Sequence, residues 1–230
     1  MNNIPICPVC GGIRFHSTTV LWDELIADWE LSPDEVDYIN RQQGFSCVDC
    51  GSNLRSMALA HGILKAFDFC GTLEEFVCSD LAISIKVLEV NEAGGLSPIL
   101  KKIPNHTLIT FPEHDMQHLV FDDSVFDLVL HSDSLEHVPD PVQGLFECRR
   151  ILRDSGLCLY TVPLVVGRLT RSRSGMKNSY HGSTTQNTPD YIVRTEFGAD
   201  MWRYALEAGF SSTRIHCFEY PAALAIEGIK

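Results

Sequence analysis

Two cysteine pairs are the first residues in the chain whose types and spacing could do chemistry. They are Cys7-Pro-Val-Cys10-Gly11 and Cys47-Val-Asp-Cys50-Gly51. A glycine after each pair lets the backbone turn so that amides face thiolates. Four thiolates from two such turns make a closed tetrahedral zinc site, with no position left for substrate. A redox pair would open a helix just after a strand, and one pair would suffice. The spacing therefore predicts one structural zinc on Cys7, Cys10, Cys47 and Cys50. His16 lies nearby, but four cysteines already complete the set.

The second such feature is the run His131-Ser-Asp-Ser-Leu-Glu-His137. In residues 127–130 before it, Asp127 is followed by the apolar Leu128, Val129 and Leu130, as in a strand buried on both faces of a parallel sheet. Pro139 and Pro141 open a helix, where proline lacks only a hydrogen bond the first turn would not make. Leu145, Phe146, Cys148, Ile151 and Leu152 give that helix an apolar stripe, and Gly156 stops it. Residues 157–162 form the next strand, which ends at Pro163. In an open α/β sheet, ligands bind at the carboxyl ends of the strands, so 131–134 and 161–163 should line a cleft. His137 could act there as a general base, its imidazole taking a hydroxyl proton near neutral pH. Asp133 is an equal candidate, for holding an acceptor. The alternative is that Glu136 and His137 brace the turn.

Residues 164–189 are polar and lack periodicity, and loops this long in a compact domain are often functional. They hold Arg168, Arg171, Arg173, Lys177, Tyr180 and His181. A guanidinium fork can clamp a phosphate or carboxylate, so Arg168, Arg171, Arg173 and Tyr180 are expected to close over an anionic acceptor. His181 becomes a second candidate base. The alternative is a solvated charged loop.

The wording FDDSVFDLVLHSDSLEHVPDP, followed by an Arg-containing helix, Gly156 and a strand ending in TVP, resembles the class I S-adenosylmethionine-dependent methyltransferases. The resemblance covers roughly residue 86 to the C-terminus. It implies a Rossmann-like α/β fold, mostly parallel, with an antiparallel C-terminal hairpin. In that family an acid and a glycine-rich turn follow the first strand. Glu89 matches the acid, Gly94 and Gly95 match the later glycines, and Asn91 stands where the first glycine would. An acid after the second strand binds ribose hydroxyls in relatives; Glu113 is the candidate, with Thr110 nearer the strand end. Asp115 resembles the acid that accepts from the adenine amino group, and Met116 the residue packed on the ring. The FDLV strand would deliver His131 close to the sulfonium. The knuckle followed by an Arg-containing helix resembles the zinc-bearing leader of some bacterial members.

Around these residues, the elements read as follows. A helix around Trp22, Leu25, Ile26 and Trp29 and a second one opened by the capping box Ser32-Pro-Asp-Glu35 fill the space between knuckles. A helix with an apolar face covers 57–67. Strands are expected at 86–91 and 106–111, a short helix at 97–103, a helix from Thr195 through Ala208, and a closing strand pair at 211–220 and 221–229. The division is residues 1–52 as a zinc-binding module with a helical insert and 53–230 as the methyltransferase domain.

The chain has 230 residues, 45% hydrophobic, enough for one sizeable core and a small module. A net charge of −12 argues against a nucleic-acid substrate, which needs basic surface to displace counterions. No apolar run approaches membrane-spanning length. No charged-then-apolar leader opens the sequence, and nine cysteines without a disulfide-like framework fit a reducing cytoplasm. The leading expectation is methyl transfer from S-adenosylmethionine to a small or medium polar metabolite, anionic through a sugar or phosphate group. The other two are an RNA methyltransferase and a non-catalytic zinc-containing adaptor that has lost the cofactor.

Overall fold

The structure is a computed structural model, and it describes residues 6–180 and 189–230. The chain starts with β1 (Phe15–Ser17), α1 (Asp23–Asp28), α2 (Pro33–Gly44), β2 (Phe45–Cys47) and α3 (Leu54–Ala66). Then come α4 (Leu73–Phe76), α5 (Asp80–Ser84), β3 (Val87–Val90), α6 (Ser97–Leu100), β4 (His106–Ile109) and β5 (Phe126–Ser132). The remainder is α7 (Pro141–Ile151), β6 (Leu152–Thr161), β7 (Leu164–Val165), β8 (Arg171–Ser172), β9 (Thr195–Gly198), α8 (Trp202–Glu207), β10 (Ser212–Glu219) and β11 (Ala223–Ile229).

The main sheet runs β10-β11-β6-β5-β3-β4. Its β4, β3, β5 and β6 are parallel, while β11 pairs antiparallel with both β6 and β10. This is the mostly parallel sheet with an antiparallel hairpin that the sequence suggested. Strand alternation assigns the faces. Leu128, Leu130 and Leu159 join a core with α3 residues Met57, Leu59 and Ile63 on one side. On the other, Val129, Cys158 and Tyr160 meet Leu145, Cys148 and Ile151 of α7. The result is three layers, with helices covering both faces of the sheet.

The α3 helix starts where expected because Asn53 caps it, its side chain accepting from the Ser56 N–H at 2.9 Å. Ser32 and Glu35 form the anticipated capping box on α2. Residues on either side of position 52 share one core: Cys7, Val9, Tyr38 and Cys47 pack with Leu54, Leu59 and Leu128.

Two expectations need correction. Residues 195–198 are a strand, not the first turn of a helix. They pair with β7 and β8, and Gly198 admits the Arg168 carbonyl so closely that a Cβ there would lie 2.2 Å from it. The stretch 164–189 is not a loop throughout, since β7 and β8 lie in it and form the small sheet β7-β9-β8. The helical insert covers that sheet: Leu25 and Trp29 pack on Val165 and Val193, and the Trp29 indole N–H donates to Ser179 Oγ at 2.9 Å. Among the described residues no helix is long and apolar enough to cross a membrane.

Candidate active site

A cleft of about 640 Å³ opens at the carboxyl ends of β3, β4 and β5. This is where an open α/β sheet binds ligands, and the size is within the ordinary range for a small-molecule site. Asn91, Thr110, Asp115 and Met116 line it from the β3 and β4 side. Asp133, His137, Asp190, Tyr191 and Arg194 line it from the β5 side.

The turn after β3 is built from within. Glu89 is fully buried; one carboxylate oxygen accepts the Ala93 N–H at 2.8 Å, and the other lies 2.7 Å from His106 Nε2. Glu89 thus braces the turn from below and does not line the cleft. Asn91 holds a left-handed backbone, φ 56°, which asparagine tolerates better than most side chains, and its Oδ1 accepts the Phe111 N–H at 3.0 Å. An asparagine therefore serves at the place where the resemblance implied a glycine. Gly94 and Gly95 face away from the cleft, toward α3. A Cβ on Gly94 would sit 3.5 Å from Arg55 Nη2, and one on Gly95 would sit 3.4 Å from Ser52 Oγ. Asp115 lines the cleft, with Oδ1 accepting the Gln117 N–H at 2.9 Å. Met116 beside it is buried against Gly144 of α7. Glu113 is exposed and lies off the cleft wall.

On the other side, His137 donates from Nδ1 to the Ile192 carbonyl at 3.0 Å, which makes Nε2 the basic nitrogen. Burial lowers its pKa below the usual histidine value, so the ring is neutral near pH 7. Nε2 lies 3.5 Å from Glu136 Oε1. Glu136 is buried, and burial, with the nearby Asp133 charge, pushes its carboxyl well above the carboxylate range. The Arg194 N–H donates to the Glu136 carbonyl at 2.7 Å, so residues 192–194 are tied to this turn at two points. His137 therefore braces the wall as well as lining the cleft.

Asp133 also has a left-handed backbone, φ 44°. Its Oδ2 is taken by the Arg55 guanidinium and by Gln43 Nε2, the latter at 3.0 Å. Neither partner was anticipated. Arg55 follows Cys50 closely, but no spacing rule links it to a residue 78 positions later. Arg194, Asp190 and Tyr191 were also missed, because their segment comes back to the cleft only through its pairing with the small sheet.

His131 does not reach the cleft. Alternation along β5 turns it under the sheet, where it is fully buried and stacked on Tyr160 with ring centroids 4.7 Å apart. Neither of its ring nitrogens has a hydrogen-bond partner among the described residues. The expected arginine clamp is not formed either. Arg168 pairs with Glu35 at 2.8 Å and donates to the Trp29 and Glu30 carbonyls. Arg171 and Arg173 both pair with the buried Glu196, and Arg173 also holds Asp28 at 2.9 Å. These three cations lock the helical insert onto the small sheet. Tyr180 bridges Ile192 through the backbone and does not line the cleft. His181 lies outside the described residues.

The cysteines do converge. All four Sγ atoms lie within 4.8 Å of one another, with Cys7 to Cys50 and Cys10 to Cys47 each 3.7 Å. A tetrahedron with zinc–sulfur bonds of about 2.3 Å has edges of about 3.8 Å, so the group fits a zinc ion. Gly11 and Gly51 take the left-handed turns expected after each pair, and the Gly12 N–H points at Cys10 Sγ from 3.4 Å.

Residues 71–160 match the family described as "Methyltransferase domain". No curated protein matches the sequence. Many solved structures do. An S-adenosylmethionine-dependent methyltransferase from Thermotoga maritima is 16% identical over 75% of this chain and 98% of its own, with a TM-score of 0.37. A candidate O-methyltransferase from Nostoc punctiforme is 14% identical over 77% and 60%, with a TM-score of 0.44. For a candidate sarcosine dimethylglycine methyltransferase from Galdieria sulphuraria, the match has 17% identity and a TM-score of 0.29, and the chain covers only 44% of that protein. The matched family segment contains β3, β4, β5 and nearly all of β6, together with most of the cleft wall at their carboxyl ends, and residues 71–160 are a methyltransferase domain.

Proposed function

We propose that the methyl acceptor is a small or medium polar metabolite with an anionic group, seated on the β5 side of the cleft. In this reading the cofactor lies over Asn91, Asp115 and Met116, and supplies a sulfonium methyl when bound. The observation that carries the reading is the makeup of the β5 side. His137 and Asp190 can accept hydrogen bonds there, and Arg194 brings a guanidinium that makes no ion pair among the described residues. A guanidinium in a cleft suits a carboxylate or phosphate on the acceptor. This role passes from the paired Arg168, Arg171 and Arg173 to Arg194.

The chain's own chemistry is then positioning and proton removal. Holding an acceptor hydroxyl or amine in line with the methyl supplies most of the rate gain. His137, neutral and with Nδ1 committed to the Ile192 carbonyl, offers Nε2 to the departing proton. The four cysteines hold one structural zinc, a role supported by their spacing and by the absence of an open coordination position.

The test is incubation of the full chain with methyl-labelled S-adenosylmethionine and matched acceptor pairs, each polar metabolite with and without its phosphate or carboxylate. Label in the anionic member of a pair supports the reading. Equal turnover of the neutral member removes the anionic assignment. Label found only in added RNA overturns the small-molecule acceptor.

A further inference from the structure

The turn after β3 and the end of β5 form the floor of the cleft, and one side chain from the N-terminal part touches both. Arg55 is in the first turn of α3, five residues after Cys50. Its Nη1 pairs with Asp133 Oδ2, while its Nη2 lies where a Cβ on Gly94 would come within 3.5 Å. Gln43, at the end of α2, completes the group. Its amide donates to Asp133 Oδ2 at 3.0 Å, and its carbonyl accepts from Arg55 Nη1 at 3.0 Å. The Arg55 and Asp133 side chains are only 17% and 14% exposed, so the pair is shielded from water and weakly screened. Arg55 itself does not line the cleft.

From this juxtaposition we infer that Arg55, with Gln43, is a positioning residue for methyl transfer: it holds Asp133 and the Gly94 turn in the relative placement that the cofactor requires. Asp133 and Gly94 both have positive φ, 44° and 56°. The Asp133 backbone is held by its N–H, which donates to the Thr161 carbonyl at 3.0 Å, and its side chain is held by Arg55 and Gln43. The Asp133 carboxylate also stands beside the buried Glu136. Without the guanidinium, that half-buried carboxylate loses its counter-charge, and the end of β5 is free to move toward water. The N-terminal part is thus a wall of the catalytic unit, and its knuckle–helix junction fixes the cleft floor.

The inference rests on cofactor binding in this cleft, and the experiment separates the two. S-adenosylhomocysteine is titrated by calorimetry into the full zinc-loaded chain and its variants. Arg55→Met should weaken binding by about 10-fold or more, and Asp133→Asn by a similar factor, as expected for removing a charged hydrogen bond. The double variant should be no more than roughly 2-fold worse than the weaker single, since two residues acting as one unit are not additive. Arg55→Lys should recover part of the affinity, because a lysine supplies the charge without the fork. If Arg55→Met shows no cooperative unfolding transition, Gln43→Leu carries the test, with an expected weakening of roughly 3-fold. Wild-type affinity in Arg55→Met or Gln43→Leu overturns the inference alone, as do losses that multiply in the double variant. No binding by the wild-type chain overturns the cofactor placement as well.

Discussion

Asp115 and His131 show how differently two residues of the same sequence pattern can be used. The place of Asp115 on the cleft wall was readable because it depends on neighbours in sequence: the segment after β4 must return over the cleft, and the Gln117 N–H holds the carboxylate in place. Asp115→Ala should weaken binding of the demethylated cofactor by about 1–3 kcal/mol, measured by titration calorimetry. An unchanged affinity would remove Asp115 from the cofactor site. His131 was misread because a strand end delivers alternate residues to opposite faces, and the pattern alone did not say which face. Its burial lowers the imidazole pKa from 6.5 to about 3. Between those values the unfolded chain binds a proton that the folded chain does not. Stability therefore falls as pH drops below 6.5, by about 2 kcal/mol from this residue at pH 5. In His131→Phe, which keeps a ring against Tyr160, the loss of unfolding free energy between pH 7 and pH 5 should shrink by about that amount. Glu136 has the opposite sign, its raised pKa favouring the folded state at low pH, but it is common to both chains and cancels. Equal pH dependence in the two chains would show that His131 does not carry the acid sensitivity.

At the level of elements, local signals served well. The capping box predicted the start of α2, the paired glycines predicted the knuckle turns, and the apolar run predicted β5. The failures lie where an element is decided by a distant partner. Residues 195–198 look able to start a helix, yet β7 and β8 on either side make them the central strand of the small sheet. The arginines of 164–189 looked like a ligand clamp because their carboxylate partners, Asp28, Glu35 and Glu196, lie far away in sequence. The knuckles bear on α3 directly, since Ser52 and Asn53 connect Cys50 to its first turn. Stripping the metal with a chelator, or Cys47→Ser, should lower the thermal midpoint and also weaken S-adenosylhomocysteine binding through Arg55. Metal analysis of the untreated chain should give one zinc. A metal-free chain that binds the product as tightly as the loaded one would uncouple the knuckles from the cleft.

At the scale of the whole molecule, the acidic chain spends several of its few cations on holding parts together. Arg173 is nearly inaccessible, and its guanidinium spans Glu196, Asp28 and the Lys177 carbonyl. Arg173→Met would leave Glu196 buried with one partner fewer. We expect a loss of about 3 kcal/mol, read from urea unfolding with an unchanged denaturant slope. A loss under about 1 kcal/mol would mean that the helical insert is held mainly by its apolar contacts around Trp29. The place of β11 has a consequence in time. It lies between β6 and β10, and its residue Ala225 packs into the same core as α3. Residues 54–66 leave the ribosome long before 223–229 do. Until then the apolar side of α3 has no complete surface to rest on. The two cysteine turns can come together early, on a growing chain, but the helix they carry must wait with its leucines and Met57 uncovered. Synthesis of this protein therefore passes through a stage in which a half-built chain is exposed to chaperones and to its own copies.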